Sequence, residues 1–276
     1  MSPLASESFI AAIVQLQCNS DSERNWNAAD RLIRDAAAAG ATLVVTPENT
    51  TFLGPHAQKV ALAEPVDGPT HARFGLLAKE LGICLLVGSV AEIAEGENNR
   101  CHNTSLLFGP DGSLISTYRK VHLFDVDVED GVRFKESDTV APGSDIVVAD
   151  SPVGRIGMSI CYDLRFPEFY RKLVDGGAQI LTVPSAFTQK TGTAHWHVLL
   201  RARAIENQAW ILAPGQVGLH DDDGLRHSYG HSLIINPWGE IVAEIQDGEG
   251  YCTADIDLNQ VTRIRTSMPV QDHRRF

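Results

Sequence analysis

The sequence predicts an α/β protein built on two packed, mixed β-sheets. Three observations carry that expectation. Stretches with a helical pattern alternate with short apolar strands through both halves of the 276-residue chain. Three strand pairs join across turns, as at Gly109-Pro110-Asp111-Gly112 and Asn236-Pro237-Trp238-Gly239, and such hairpins add antiparallel partners to an otherwise parallel pattern. The strands number about a dozen, more than one open sheet usually holds.

Taken in order, residues 9–16 (FIAAIVQL) form a continuous apolar run and read as a buried strand. Residues 26–39 are rich in Ala, Arg and Leu and predict a helix stopped by Gly40. Leu43-Val44-Val45 is a second buried strand and runs into Thr46-Pro47-Glu48. Residues 69–81 predict a helix, with Pro69 in its first turn and Gly82 beyond its end. Residues 84–90 are another apolar strand, and 102–108 with 113–119 flank the Pro-Asp-Gly turn of a hairpin. Residues 124–143 have weak periodicity and many charges, which predicts a long functional loop.

Residues 146–149 and 153–160 predict a second hairpin, and Pro167 opens a helix that Gly176-Gly177 ends. A strand at 180–183, a helix at 194–207 and a strand at 210–213 follow. Residues 231–235 and 240–245 form the third hairpin, 251–256 the last strand, and the tail reads as basic and irregular. The chain shows no repeat, low-complexity segment or linker, so one domain over residues 1–276 is expected.

Composition narrows the function. Hydrophobic residues make up 43% and charged residues 21%, as in ordinary globular proteins. A net charge of −12 argues against a nucleic-acid partner or an anionic membrane, since both need a basic face. The five cysteines are odd in number and widely spaced, with no CxxC, which fits neither a disulfide framework nor a zinc site. Residues 1–16 lack the basic start of a signal peptide. No apolar run approaches the roughly 20 residues of a membrane span. A reducing compartment, the cytoplasm, is expected. In that compartment the sequons at Asn49 and Asn103 are chance matches.

One stretch concentrates the chemistry. Cys161 follows the apolar run ending at Ile160 and precedes the helix opened by Pro167. It therefore falls in a bend between strand and helix, where unpaired backbone N–H groups can hold an oxyanion. Taken alone, a cysteine there is a core residue. Glu48 and Lys120, however, also stand just past the ends of strands. Ligands of α/β folds gather outside the carboxyl ends of strands, so the three are expected to converge. Together they make a thiol hydrolase: Cys161 attacks a carbonyl carbon, Glu48 relays the proton, and Lys120 with an N–H near Tyr162 steadies the oxyanion.

These residues carry a family resemblance. Glu48 within TPENT, Lys120 within YRKVHLFD and Cys161 within CYDLRFPE resemble the three signatures of the nitrilase superfamily of carbon–nitrogen hydrolases. The resemblance covers residues 13 to 265. It implies a four-layer αββα sandwich of two mixed sheets, a Glu-Lys-Cys triad and a thioester intermediate. It implies no cofactor, no metal in the site, and a homodimer or homotetramer. It also implies a second carboxylate, matched by Glu136 in RFKES, that holds Lys120 and the substrate in register.

The stretches RFKESDTVAPG and TGTAHWHVLLRARAIENQAW look like the branch that hydrolyses amides of 2-oxo acids. HSYGHSLIINPWGEI and the ending MPVQDHRR resemble members that cleave the amide between a 2-oxoglutaryl group and cysteinylglycine. Members acting on 2-oxoglutaramate or 2-oxosuccinamate are the alternative, with a nitrile hydrolase and a silent scaffold behind them. The small carboxylated substrate needs a cation, and Arg165, four residues after Cys161, is the candidate. Pairing with Asp163 or Glu168 is its structural alternative. Phe187 and Thr191 are expected to form the wall beside Tyr162.

Three features point elsewhere. His195 and His197 lie two apart on a predicted helix and do not face one another, so they are not expected to share an ion. The acidic run at residues 221–224 lacks the closing Glu of a calcium loop and reads as a surface turn. Arg201, Arg203 and Glu206 sit at helical spacing and are expected to pair within their own helix.

Overall fold

Strand β1, Ser8–Gln15, becomes fully buried from Ala11 onward, as its apolar sequence requires. The computed structural model describes residues 8–97, 99–127, 133–221 and 226–275. Asp21 caps the N-terminus of helix α1, Ser22–Ala38, by accepting from the backbone N–H groups of Glu23 and Arg24. That cap starts the helix four residues ahead of the sequence expectation. Strand β2, Leu43–Val45, and helix α3, Pro69–Leu81, fall where predicted. Between them lies a short helix, α2, His56–Ala61, with no buried residue and so no apolar stripe to announce it.

Strands β3 (Cys84–Ile93), β4 (Cys101–Phe108) and β5 (Leu114–Arg119) follow. With β16 (Gly250–Asp257) they form a six-stranded sheet in the order β16-β1-β2-β3-β4-β5. The β1-β2-β3 core is parallel and the flanks are antiparallel.

The second sheet is assembled from β8 (Val148–Ser151), β9 (Gly154–Met158), β10 (Ile180–Thr182), β11 (Trp210–Ala213), β14 (Ser232–Ile235) and β15 (Ile241–Ile245). Its order is β15-β14-β11-β10-β9-β8, again parallel at the centre. Helix α4, Pro167–Asp175, packs on β9, and helix α5, Gln189–Asn207, packs on β11 and β14. Helices α1 and α3 cover the first sheet.

Apolar residues of both sheets, among them Ile13, Val45, Leu86, Ile156, Ile180 and Leu212, share one buried cluster between them. A second cluster lies between the first sheet and α1 and α3. The layers therefore run helix, sheet, sheet, helix, the αββα sandwich that the motifs implied. Burying both faces of each sheet explains why the central strands read as unbroken apolar runs rather than as alternating ones.

Four expectations are corrected. The region 124–143 is not one loop. It contains a small hairpin, β6 (Asp125–Asp127) with β7 (Arg133–Lys135), followed by a single 3-10 turn, Glu136–Asp138. The tail is not irregular. Asp257 caps helix α6, Leu258–Ser267, by accepting from the N–H of Asn259, and Leu258, Val261 and Ile264 form its buried stripe. Arg263 within that stripe and Arg265 just beyond it hid the period of three. Helix α5 also starts five residues early. A further hairpin, β12 (Val217–Leu219) with β13 (His227–Tyr229), lies where no strand was expected. Residues 222–224 of the acidic run lie outside the described residues; Asp221 accepts from the backbone N–H of Ser20 at 2.8 Å.

Candidate active site

Cys161 follows β9 and opens a 3-10 turn, Cys161–Arg165, directly ahead of α4. Its φ of +47° lies in the left-handed region that an L-residue enters only when its surroundings hold it there. Those surroundings are identifiable. The N–H of Cys161 donates to the Pro184 carbonyl at 2.9 Å. Asp163, fully buried, accepts from the N–H of Ile160 at 2.8 Å, the hydroxyl of Tyr118 at 2.7 Å and the N–H of His122 at 3.1 Å. Arg203 of α5 donates twice to the Leu164 carbonyl, at 3.1 and 2.7 Å. The turn is thus tied to β5, to α5 and to its own start.

Glu48 follows β2, as Lys120 follows β5 and Cys161 follows β9. The loop carrying Glu48 closes on β3 at Gly88, where a Cβ would stand 2.0 Å from the Thr46 carbonyl and 2.5 Å from Pro184. Only glycine allows that approach. The Glu48 carboxylate accepts from Ala186 N–H at 2.8 Å, from Asn103 Nδ2 at 2.9 Å and from Lys120 Nζ at 3.0 Å. Glu136 accepts from Lys120 Nζ through both oxygens, at 3.0 and 2.9 Å, and from the N–H of Phe124 at 2.7 Å. Glu48, Lys120 and Cys161 are 3%, 2% and 8% exposed, so their charges act in a nearly water-free place.

Electrostatics then assign the protons. Burial works against the Glu48 carboxylate, but the Lys120 ammonium outweighs it and holds Glu48 below the usual carboxylate range. Burial likewise opposes the Lys120 ammonium, and Glu136 and Glu48 together raise it well above the usual lysine value. Burial drives the Cys161 thiol well above its ordinary value, and Glu48 adds to that more than Lys120 removes. The resting site is a carboxylate–ammonium–carboxylate group beside a neutral thiol.

The eight residues expected to act on substrate line one cleft: Glu48, Lys120, Glu136, Cys161, Tyr162, Arg165, Phe187 and Thr191. The Arg165 guanidinium lies 5.1 Å from the Phe187 ring centroid and 5.8 Å from that of Tyr162. Its Nη1 is 3.3 Å from His195 Nδ1. Asp163 is engaged by Tyr118, His122 and Ile160, so it does not serve as the structural partner considered for Arg165. The Thr191 hydroxyl is 2.8 Å from that of Thr188. His195 and His197 part company as expected, His197 meeting Glu244 of β15. Arg203 pairs with Glu206 at 2.9 Å, as the spacing suggested, whereas Arg201 donates to the Gly239 carbonyl.

Sequence reasoning missed several residues. Asn103 bridges Glu48 and Glu136 at 2.9 and 3.4 Å, and at 1% exposure it is no glycosylation acceptor. Asn49, His56, Lys59, Phe124, Phe134 and Arg226 also line the cleft. Asp163 and Arg203 hold the turn that carries Cys161. Only Asp163 had a local signal, as an acid two residues after the cysteine at the opening of a turn.

A sandwich of two sheets that gathers a strained, buried cysteine, a lysine and two carboxylates at strand ends has the make-up of a hydrolase working through a thiol. The carbon-nitrogen hydrolase family model matches residues 10–266. The chain belongs to that family, within the nitrilase superfamily, and is a hydrolase of carbon–nitrogen bonds other than peptide bonds. It is 41% identical over 279 residues to a deaminated glutathione amidase of Bos taurus, covering 98% of this chain and 84% of that one. It is 39% identical over 269 residues to an omega-amidase, NIT2, of Xenopus tropicalis, covering 97% and 95%. The crystal structure of the C. elegans NitFhit protein matches with a TM-score of 0.92 at 38% identity. That match covers 99% of this chain, which spans 66% of the nematode one. No helix among the described residues is long and apolar enough to cross a membrane.

Proposed function

We propose that this protein hydrolyses the amide between a 2-oxoglutaryl group and cysteinylglycine, that is, deaminated glutathione, through an acyl-enzyme on Cys161. The carrying observation is the charge of the cleft. Among its described lining residues are four cationic side chains, Lys59, Lys120, Arg165 and Arg226, against two carboxylates, Glu48 and Glu136. A surplus of two positive charges suits a substrate with two carboxylates, one at the oxo-acid end and one on glycine. The full-length identity to deaminated glutathione amidases supports the same reading.

As the sulfur of Cys161 attacks the scissile carbonyl, Glu48 takes its proton. Lys120 Nζ contacts one oxygen of Glu48 and both of Glu136, and it turns one N–H from Glu136 to the oxyanion as that charge develops. The N–H of Tyr162, at the start of a turn, has no acceptor within that turn and is the second donor. Glu48 passes the proton to the leaving nitrogen, and cysteinylglycine departs. A water that gives its proton to Glu48 then attacks the thioester. The thiol recovers the proton, and 2-oxoglutarate leaves. Glu136 keeps Lys120 in place, and no step calls on a cofactor. Arg165 holds the oxo-acid carboxylate, with Phe187 and Thr191 beside it. Arg226, whose guanidinium lies 5.7 Å from the Phe134 ring centroid at the cleft wall, meets the glycine carboxylate.

Hydrolysis of 2-oxoglutaramate is the second reading, favoured by the omega-amidase relative. The ratio of kcat/KM values for the two substrates separates them. The expected ratio favours deaminated glutathione and narrows in Arg226→Gln. A ratio favouring 2-oxoglutaramate, unchanged in that variant, overturns the first reading. Nitrile hydrolysis is disfavoured by the identities to amidases, and a silent scaffold by the converging triad.

The protein acts as a homodimer or homotetramer in the cytoplasm, without nucleic-acid or membrane partners. Exposed Val198, Ile205 and Trp238 support the oligomer. Five free cysteines support the reducing compartment.

A further inference from the structure

Away from the cleft, three side chains from three elements converge on one point. His197 lies on α5, Glu244 lies on β15, and His231 stands just before β14. His197 Nε2 is 3.2 Å from Glu244 Oε1, and His231 Nδ1 is 2.9 Å from the same oxygen. One ligand atom from each residue lies within 4.8 Å of the others. None of the three lines the cleft.

We propose that His197, His231 and Glu244 bind a divalent zinc ion at a site distinct from the catalytic centre. Two imidazole nitrogens and one carboxylate oxygen form a donor set suited to zinc, and a water completes four ligands. Bonds of about 2.0–2.2 Å in tetrahedral array put donors roughly 3.3 Å apart. The separations of 2.9 and 3.2 Å from the shared oxygen are close to that, and side-chain rotations that set the two imidazole nitrogens, within 4.8 Å of each other, at the same spacing admit the ion.

The two histidines are also held in position. His231 has a φ of +51° directly after Gly230 at +73°, which turns its ring back toward Glu244. Its ring stacks on Tyr229 with centroids 4.3 Å apart, and its carbonyl accepts from Trp196 Nε1 at 2.7 Å. Trp196 is fully buried and immediately precedes His197, so one anchor fixes both imidazoles. The approach of α5 to β13 that allows this needs Gly192, where a Cβ would meet the Tyr229 ring at 2.4 Å. The three side chains are between 25% and 32% exposed, which leaves an entry path and room for water. A bound ion would staple α5 to the β14–β15 hairpin of the second sheet.

The test titrates chelator-treated, full-length protein with zinc chloride, read by calorimetry, melting temperature and X-ray absorption. One ion per chain is expected, with an all-nitrogen-and-oxygen shell and a Tm rise of about 5 °C at saturating zinc. His197→Ala and Glu244→Gln should each weaken binding by at least about tenfold and abolish the Tm rise. Hydrolysis in zinc-free buffer should be unchanged in both. A shell containing sulfur, which would place the ion on a cysteine such as Cys161, overturns the proposal. So does absence of saturable binding, or wild-type binding in either variant that folds.

Discussion

The Nζ of Lys120 lies 3.0 Å from Oε1 of Glu48, and this contact determines where the proton of Cys161 resides. A carboxylate buried alone would take up a proton. Here the ammonium keeps Glu48 charged, and Glu136 keeps the ammonium charged. With two negative groups and one positive, the thiol retains its proton until a carbonyl is presented. In the proposed mechanism, base and nucleophile are therefore coupled from the start.

The pH profile follows from these directions. In the proposed mechanism Glu48 works as the carboxylate and Lys120 as the ammonium; the Glu48 pKa is lowered from 4.5, so the acid limb of kcat/KM should lie below 4.5. The Lys120 pKa is raised above 10.5, so no alkaline limb from Lys120 should appear before that pH. A plateau across the neutral range is expected from initial rates in folded enzyme. A limb near pH 6 to 7 would assign the base to a histidine instead.

Glu48→Gln and Lys120→Ala should each lower kcat by roughly a thousandfold or more, the scale of losing a base or an oxyanion donor. Lys120→Arg should not restore it, because a planar guanidinium cannot replace a compact ammonium between two carboxylates. Iodoacetamide separates the roles further. Glu48 helps to raise the Cys161 pKa, so Glu48→Gln should alkylate faster at pH 8 while turning over more slowly. Slower alkylation would mean that Glu48 already draws the proton in the resting enzyme.

Arg165→Lys should reduce kcat/KM for 2-oxo acid amides by about 1–3 kcal/mol, the value of a lost charged hydrogen bond. Hydrolysis of a small uncharged amide should barely change. Equal losses on both substrates, with a lower Tm, would make Arg165 a structural part of the turn.

Asp163→Asn tests the support beneath the nucleophile. It weakens the bonds to Tyr118, His122 and Ile160 together. Losing about 1.5–3 kcal/mol should lower Tm by roughly 5 °C, and kcat should fall as Cys161 loses its fixed conformation. An unchanged Tm would show that Arg203 alone holds the turn.

The parallel core strands were legible because burial on both faces made them unbroken apolar runs, as in β1 and β2. The triad was legible because each member follows a recognisable strand: apolar runs precede Glu48 and Cys161, and the β-prone edge strand β5 precedes Lys120. Helix α6 was not, because Arg263 and Arg265 mask its three-residue stripe. Asn103, Lys59 and Arg226 were not legible either. They enter the cleft through pairing and packing between segments far apart in sequence, which local pattern does not encode. Asp163 and Arg203 act on the turn rather than on substrate, so no chemical motif marks them.

The central claim is that Cys161 forms the acyl-enzyme, and rapid-quench mass spectrometry with deaminated glutathione tests it most directly. Peptide mapping should place a 2-oxoglutaryl adduct on Cys161 alone, absent in Cys161→Ala, which should remain folded and inactive. An adduct on Cys18, Cys84, Cys101 or Cys252, or turnover by Cys161→Ala, would contradict the account.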